Sequence, residues 1–295
     1  MRKLTLISLF LIILCSLFSI GCVNNGDLPE RIVKFGVITD IQGDTTNLEF
    51  FTNEFNKVEI NAILVLGDLN DMNKEIKETD QKEIYSVLKI INENFNKSIY
   101  VIPGNHESKD DYRNAIIQVA NETFVPIHLH DLSRDGIWSH MGINLVDVPG
   151  YHLEEYTNQN GFIIENLENK IVVSERLAPI VNLLVAHGPP LGKNPGSIDA
   201  LISGVNAGNE QLNFLIKRKN INFGVFGHIH EAGMKAVNRE DEFVPENEWS
   251  KSLFLNPGPA TEWKMNSGEF SKGSAAILEI DINNKLARYE IINVE

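Results

Sequence analysis

Residues 62–71 read AILVLGDLND, an unbroken apolar run that ends in glycine and two acidic residues. An apolar run of this length without alternation is typical of a strand that is buried on both faces, as in a parallel sheet. The glycine allows the chain to turn sharply where the strand ends. In open α/β sheets, functional side chains gather at the carboxyl ends of the strands. The stretch therefore predicts an α/β fold with a polar site at one edge of its sheet.

Similar apolar runs recur along the chain, and most of them also end in Gly, Asp, Asn or His. They cover residues 32–39, 99–102, 143–148, 180–186, 221–226, 253–255, 275–282 and 287–294. Between them, apolar residues at helical spacing predict helices around residues 48–55, 84–91 and 212–216. The sequence shows no internal repeat and no linker after residue 29, so the alternation of strands and helices predicts one α/β domain over residues 31–295.

Composition and charge exclude several classes of protein. Hydrophobic residues make up 43% of the 295 positions, which is enough to build a core and rules out a disordered or collagen-like chain. The two cysteines, Cys15 and Cys22, both lie near the N-terminus, so a disulfide framework and a cysteine-based zinc site are excluded. The net charge of −14 argues against specific nucleic-acid binding, which needs clustered Lys and Arg. A small phosphorylated substrate is still compatible, because bound cations can reverse the field locally.

Residues 1–30 have the pattern of an export signal followed by a tether. Arg2 and Lys3 precede residues 4–20, which are mostly apolar and uncharged but marginal in length for a membrane-spanning helix. Residues 19–22, SIGC, resemble the lipobox of prokaryotic lipoproteins, in which the cysteine is acylated and becomes the new N-terminus. The resemblance implies a signal peptide over 1–21, a tether over 22–30, and a lipid anchor on Cys22 at the extracytoplasmic face of the cell membrane. The alternative is a secreted protein or an uncleaved anchor, with Cys22 incidental.

Five of the apolar runs end in side chains that can bind metal ions. These residues are Asp40, Asp68, Asn105, His187 and the pair His228 and His230. Carboxylate, amide and imidazole groups are ligands of Mg, Mn, Fe and Zn, and two histidines on one side of an extended segment can reach two adjacent ions. Any one of these residues alone would be interpreted as a turn, a helix cap or a packed histidine. Their recurrence at five strand ends predicts a metal centre.

The motifs that contain these residues occur in a characteristic order. They are D-x-Q at 40–42, G-D-x-x-D at 67–71, G-N-H-E at 104–107, a single histidine at 187 and G-H-x-H at 227–230. This series resembles the motif pattern of the calcineurin-like metallophosphoesterase superfamily. The residues of its last two motifs are most similar to those of a small prokaryotic branch of that superfamily. The resemblance covers residues 32 to about 259. It implies a four-layer α/β/β/α sandwich that binds two divalent metal ions and hydrolyses phosphomono- or phosphodiester bonds.

The resemblance further implies which residues hold the two ions. Asp68 would bridge both of them, and Asp40 and His230 would complete the first site. The second site would take Asn105, His187 and His228. Two divalent ions, two carboxylates and one hydroxide sum to a charge of about +1, which would attract phosphate despite the acidic surface.

The resemblance also assigns the catalytic steps. A metal-bound hydroxide would attack phosphorus in line, with the two ions stabilising the entering and leaving oxygens. His106 would protonate the leaving-group oxygen as a general acid, and Asp71 would orient His106. Two alternatives stay open at this point. One is cleavage of a nucleotide pyrophosphate or a cyclic nucleotide at the same site, and the other is a non-catalytic scaffold that binds proteins.

Gln42 departs from the superfamily pattern, in which the first motif ends in histidine. An amide is a poorer and harder ligand than an imidazole, so we expect the first ion to bind more weakly, with Mn or Fe preferred to Zn. The alternative is that Gln42 points away from the site and that water takes its place.

Substrate choice is predicted to lie in three loops that carry no recognisable motif. They cover residues 71–80, 151–161 and 192–207. Three aromatic residues, Tyr151, Tyr156 and Trp263, could stack on a substrate base or serve only in packing.

Overall fold

The computed structural model describes residues 31–71, 80–122, 128–134, 138–164, 167 and 181–295. The predicted signal peptide, the tether with Cys22 and most of the loop at 71–80 lie outside these residues. Residues Ile32–Glu295 pack as one unit. None of the helices in the described ranges has the length and apolar character needed to cross a bilayer.

Strands and helices alternate in the first part of the chain, and strands predominate in the last part. The strands are β1 (Ile32–Ile38), β2 (Ala62–Val65), β3 (Ser98–Val101), β4 (Leu129–Asp131), β5 (Trp138–His140), β6 (Ile143–Val148), β7 (Val181–Ala186), β8 (Phe223–Val225), β9 (Lys235–Val237), β10 (Phe243–Val244), β11 (Leu253–Asn256), β12 (Trp263–Lys264), β13 (Phe270–Ser271), β14 (Ser274–Asp281) and β15 (Leu286–Asn293). The helices of the described residues are α1 (Thr45–Lys57), α2 (Asp80–Asn94), α3 (Lys109–Glu122) and α4 (Glu210–Arg218). Two short 3₁₀ turns cover Glu154–Tyr156 and His230–Ala232.

The strands form two large mixed sheets. The first has the order β15-β14-β1-β2-β3-β4 and the second the order β10-β9-β11-β8-β7-β6-β5. Strands β1 to β4 run parallel, as do β6, β7, β8 and β11, and antiparallel strands extend each parallel group. Within each parallel group, the carboxyl ends of the strands therefore meet at one edge. Strands β12 and β13 form a separate ribbon.

The main apolar core lies between the two sheets. Phe35 and Leu64 of the first sheet belong to the same buried cluster as Leu183, Val225 and Leu255 of the second sheet. The strands that contribute these residues also bury their other face, because helices cover the outside of both sheets. This explains why the apolar runs in the sequence show no alternation.

Helices form the two outer layers. Ile63 and Leu64 lie on opposite faces of β2. Ile63 packs in one cluster with Phe51 of α1 and Val87 of α2. Leu212 of α4 packs with Phe254 on the outer face of the second sheet. Burial of each such side chain contributes about 1.5–3 kcal/mol. The architecture is the α/β/β/α sandwich that the sequence predicted.

Helix α1 begins directly after the loop that follows β1. The Asp44 carboxylate accepts a hydrogen bond of 3.0 Å from the backbone N–H of Asn47, which satisfies one of the free donors in the first turn. Leu48, Phe51 and Phe55 then face the sheet at the spacing that the sequence showed. The cap fixes where the helix starts and so limits the preceding loop to the short segment that carries Asp40 and Gln42.

The predicted strands agree with the observed ones to within two residues, and the last two, β14 and β15, pair as an antiparallel hairpin. Sequence reasoning missed strands β5, β9, β10, β12 and β13, which have two or three residues each. A strand of this length is too short to show a periodic pattern. His140 is the last residue of β5, and a turn follows at Met141.

Candidate metal centre

The carboxyl ends of strands from both sheets meet at one place, where the predicted side chains converge. Two groups of ligand atoms each lie within 4.8 Å of one another. The first cluster is Asp40, Asp68 and His230, and the second cluster is Asp68, His187 and His228. Asp68 belongs to both, which is the arrangement that a bridging carboxylate would need. Asn105 joins the second cluster, since its Oδ1 lies 2.7 Å from His187 Nε2.

Four residues of this region have a left-handed backbone conformation, which residues other than glycine rarely adopt. They are Asp40, Gln42, Asp68 and His228, with φ between 49° and 67°. Such a conformation costs about 1–3 kcal/mol at each residue and is concentrated at functional sites. The loops are nevertheless fixed, because Asp40 N donates to Gly67 O and Gln42 N to Asp68 O, both at 3.0 Å.

Close packing of the loops after β2 and β3 explains why the G-N-H-E motif has glycine at position 104. A Cβ atom at Gly104 would collide with Asp68 Oδ1. The same carboxylate oxygen accepts a hydrogen bond of 3.1 Å from the backbone N–H of His106. Gly104 thus lets the loop after β3 approach the Asp68 carboxylate closely enough to hold it.

The contacts of His187 test whether a cation fits the second cluster. Its Nδ1 lies 2.7 Å from the Leu66 carbonyl oxygen, so Nδ1 carries the proton that is donated there. In a neutral ring, the lone pair of Nε2 then faces Asn105 Oδ1 at 2.7 Å and Asp68 Oδ2 at 3.4 Å. Asn105 Nδ2 donates to the Tyr156 carbonyl, which fixes the amide oxygen towards His187. Three electron-rich atoms facing one another fit a bound cation.

The Asp68 carboxylate supports the same conclusion. Its Oδ2 is buried and has no hydrogen-bond partner among the described residues. A buried oxygen without a partner is costly, and a metal ion is one way to satisfy it. Burial raises the pKa of Asp68, but the neighbouring His187 outweighs this and holds the pKa well below its usual range. The ionised form is therefore the one present at neutral pH.

Protons can occupy the space when no cation is bound. Burial lowers the pKa of His187, yet the adjacent Asp68 carboxylate raises it more, to about 9. The pKa of His228 is instead lowered to about 3, first by burial and then by the charge of His187. His228 is thus neutral and ready to act as a ligand.

The first cluster has a different set of contacts. His230 Nε2 lies 3.0 Å from Asp40 Oδ1 and 3.3 Å from the side-chain nitrogen of Gln42. The Gln42 side chain therefore extends towards the cluster. Rotating its amide by 180° would place Oε1 at this position, because the two amide atoms are nearly interchangeable in shape. The edge of the Trp263 ring packs against His230, with ring centroids 4.4 Å apart.

The other oxygen of Asp40 is used to brace the site. Asp40 Oδ2 accepts hydrogen bonds from the Thr39 hydroxyl at 2.7 Å and from His228 N at 3.0 Å. Burial raises the pKa of Asp40, but the interactions with its neighbours, above all with His230, lower it by more, so the net shift of the pKa is downward. Asp40 Oδ1 is left to face His230 and the space between the ligands.

Tyr151 is buried and packs against a predicted ligand. Its ring lies 3.7 Å from the ring of His228 between centroids, and its hydroxyl donates to the carbonyl of Ala207. The sequence left open whether Tyr151 stacks on a substrate base or serves in packing, and the structure shows packing. The ring limits the orientations open to His228.

The two predicted catalytic residues lie in different surroundings. The His106 side chain is 22% exposed, and its Nε2 lies 3.7 Å from Asp68 Oδ2. Asp71 is the last described residue before the gap at 72–79, and its backbone N–H donates to Glu83 Oε2 at 3.1 Å. The orienting role of Asp71 towards His106 stays a prediction.

Glu107 is a buried residue to which sequence reasoning gave no role. Its Oε2 accepts a hydrogen bond of 2.7 Å from Gly104 N, and its Oε1 accepts one from Leu69 N. The side chain thereby joins the loops after β2 and β3. Burial, followed by the charge of Asp68, raises the pKa of Glu107 to about 7. Its position in the G-N-H-E motif was the only signal in the sequence.

A cavity of about 700 Å³ opens above the two clusters. His106, His228 and His230 lie at its base. Its walls include residues of two of the predicted substrate loops, 151–161 and 192–207, together with Trp263. A small ligand in this cavity would therefore contact the clusters and these loops at the same time.

Comparisons with known proteins agree with this geometry. Residues 33–232 match the calcineurin-like phosphoesterase family. A solved crystal structure superposes with a TM-score of 0.64 at 14% identity, covering 90% of this chain and all of the other. A protein of Thermus thermophilus gives 0.57 at 15% identity, with 90% and 100% coverage. A dimetal phosphatase from Danio rerio gives 0.51 at 12% identity, with 89% and 99% coverage. No curated protein matches the sequence significantly.

The family match spans more than half of the chain and includes every predicted ligand. The family implies a dinuclear site for divalent metals, and the two clusters supply candidate ligand groups for it. The structural matches, at this level of identity, support the fold. The chain therefore belongs to the calcineurin-like phosphoesterase family and is a metallophosphoesterase, a hydrolase of phosphoester bonds.

Proposed function

We propose that the protein hydrolyses phosphomono- or phosphodiester bonds with two divalent cations held between Asp40, Gln42 and His230 on one side and Asn105, His187 and His228 on the other. Asp68 would bridge them. The observation that carries the proposal is the sharing of Asp68 by two ligand clusters at the base of an open cavity. The electron-rich groups around His187 Nε2 support a cation at the second position.

The chain's own residues would divide the remaining work. Two divalent ions supply charge neutralisation of the phosphoryl oxygens and an activated water for in-line attack. His106 would donate a proton to the oxygen of the leaving group, since it lines the cavity and is more exposed than the buried His187. Asp71 would orient His106 from the loop that also carries Asp68.

Manganese or iron is proposed in preference to zinc at the first position. Gln42 offers an amide in place of the imidazole that the family pattern has there, and amide oxygen is a harder ligand. The approach of the Gln42 side chain to His230 supports a direct role for it.

His106→Ala is the direct test of the catalytic assignment. Without the proton donor, we expect kcat for a phosphodiester such as diphenyl phosphate, whose phenolate leaving group is basic enough to need a proton, to fall by about 10²–10⁴-fold. The metal content, measured by elemental analysis, should stay the same, because His106 is not among the proposed ligands. His128→Ala removes a histidine outside both clusters and is the matched control. An unchanged kcat in His106→Ala would overturn the assignment.

We also propose that the enzyme is exported and held at the outer face of the cell membrane by a lipid on Cys22. The basic start, the apolar segment and the SIGC motif support this location. In Cys22→Ala, the protein should leave the membrane fraction and lose incorporation of labelled fatty acid. Cys15→Ala should behave as the parent does. If Cys22→Ala still incorporates labelled fatty acid, the lipid is attached to another residue.

A further inference from the structure

The described walls of the cavity above the clusters contain no lysine or arginine. Eighteen described residues line it, and none of them is Lys or Arg. Two are acidic residues outside the clusters, Glu155 and Glu231. Once the proposed cations balance one phosphate and the proton of His106 is given to the leaving group, no lysine or arginine in these walls compensates a second negative charge.

Apolar side chains also line the same cavity. Tyr156 and Val205 both line it and are 58% and 60% exposed, although they are large and apolar. Leu153 and Leu201 belong to the same lining. Exposed apolar side chains that line a polar site are better explained by ligand contact than by folding, because folding would bury them.

The apolar wall is held in place from behind. The buried Asp199 carboxylate accepts hydrogen bonds of 2.9 Å from Gly192 N and Gly208 N, which closes the base of the loop. Leu201 N donates to Val205 O at 2.9 Å. The Tyr151 hydroxyl binds Ala207, and the same ring packs on His228. The wall is thus fixed relative to the candidate metal ligands. It can therefore select among substrates without paying the entropy cost of ordering a loop when the substrate binds.

We infer that this site selects phosphoesters whose organic group is apolar and carries no second anionic group, and that Val205 and Glu155 contribute to this choice. The inference rests on the proposed phosphoester hydrolysis and narrows its substrate class. A nucleoside diphosphate or triphosphate would be a poor substrate, because its additional phosphates would lie against acidic and apolar walls.

Three phosphodiesters with the same leaving group test the inference. They are methyl, phenyl and 4-carboxyphenyl 4-nitrophenyl phosphate, assayed with the full-length protein and Mn²⁺. Because the leaving group is constant, differences in kcat/KM, each divided by the uncatalysed hydrolysis rate of the same ester, report recognition of the organic group that stays on phosphorus. We expect the phenyl ester to exceed the methyl ester by about tenfold. The carboxyphenyl ester should fall about tenfold below the phenyl ester.

Two variants, each with a neighbour as control, assign these differences to residues. Val205→Ser should reduce the ratio of phenyl to methyl by about threefold. Ile202→Ser changes a residue of the same loop that is equally exposed, at 64%, but does not line the cavity, so its ratio should match the parent. Glu155→Lys should raise the ratio of carboxyphenyl to phenyl by about tenfold. Glu154→Lys, in the same 3₁₀ turn but outside the lining, should leave that ratio unchanged.

The outcomes separate the inference from the proposed function. If no ester is hydrolysed, the proposed function fails. If all three esters are hydrolysed at similar kcat/KM, the function stands and the inference is wrong. If the ratios change equally in Glu154→Lys and Glu155→Lys, or in Ile202→Ser and Val205→Ser, the assignment to this wall is wrong. Selectivity that moves only with Val205 and Glu155 supports the inference.

Discussion

In the second cluster, the side chains that approach Asp68 are each held by a further contact: His187 by the Leu66 carbonyl, Asn105 by the Tyr156 carbonyl and His228 by the ring of Tyr151. In the first cluster, Asp40 and His230 are held in comparable ways, by Thr39 and Trp263. The third candidate ligand is Gln42, which offers an amide where the family pattern has an imidazole. The two halves of the proposed centre therefore differ in one ligand type.

This difference shows where a metal centre tolerates change. A histidine or an asparagine has few rotatable side-chain bonds, so it loses little freedom when it binds an ion. A glutamine must give up more side-chain rotamers to do the same. We expect the second cluster to bind its ion more tightly than the first.

The largest expected effect comes from removing what the two halves share. Asp68→Asn replaces the buried carboxylate that belongs to both clusters, so both ions should be bound at least about a hundredfold more weakly. Elemental analysis and titration with Mn²⁺ measure this. Asp281→Asn, a buried carboxylate at the end of β14, is the control and should keep the full metal content. Retention of both ions by Asp68→Asn would contradict a bridging role.

Tyr151→Leu and Trp263→Leu should affect opposite halves. The first removes the ring that packs on His228, and the second removes the ring that packs on His230. Each should weaken one step of a Mn²⁺ titration by about tenfold and leave the other step close to the parent value. Circular dichroism would verify that both variants fold. If both variants weaken the same step, the division into two halves is wrong.

Gln42→His should produce the smallest change and would make the two halves more alike. An imidazole beside His230 would restore the ligand type of the family pattern, so the weaker step should tighten about fivefold and Zn²⁺ should compete better. Isothermal titration calorimetry with Mn²⁺ and Zn²⁺ measures both. The tighter step serves as an internal control. No change in either step would mean that Gln42 does not contact the ion.

Much of the fold was predictable because its signals are local. Burial of a strand on both faces produces an unbroken apolar run, so β1, β2, β3, β6 and β7 could be recognised from residues within each run. The strands of two or three residues, such as β9 and β12, were missed because their formation depends on pairing with distant segments. Their own sequence carries too little information to predict them.

The candidate ligands were predictable for a related reason. Each follows directly on its apolar run, and parallel strands bring their carboxyl ends to one edge whatever their order in the sheet. The orientation of the ligands was not predictable. His187 is fixed by the carbonyl oxygen of Leu66, which lies more than a hundred residues away in the chain and accepts a hydrogen bond from Nδ1, and the ring that holds His228 comes from Tyr151.

The sequence by itself determined which chemical groups reach the centre and the alternation of strands and helices that delivers them, because both depend on neighbouring residues. The tertiary structure decided the proton position on His187, the joining of two loops by Glu107, and the composition of the cavity walls, in which none of the described residues is Lys or Arg. These properties depend on distances between segments that are far apart in the chain. Such distances are set only when the two sheets pack face to face.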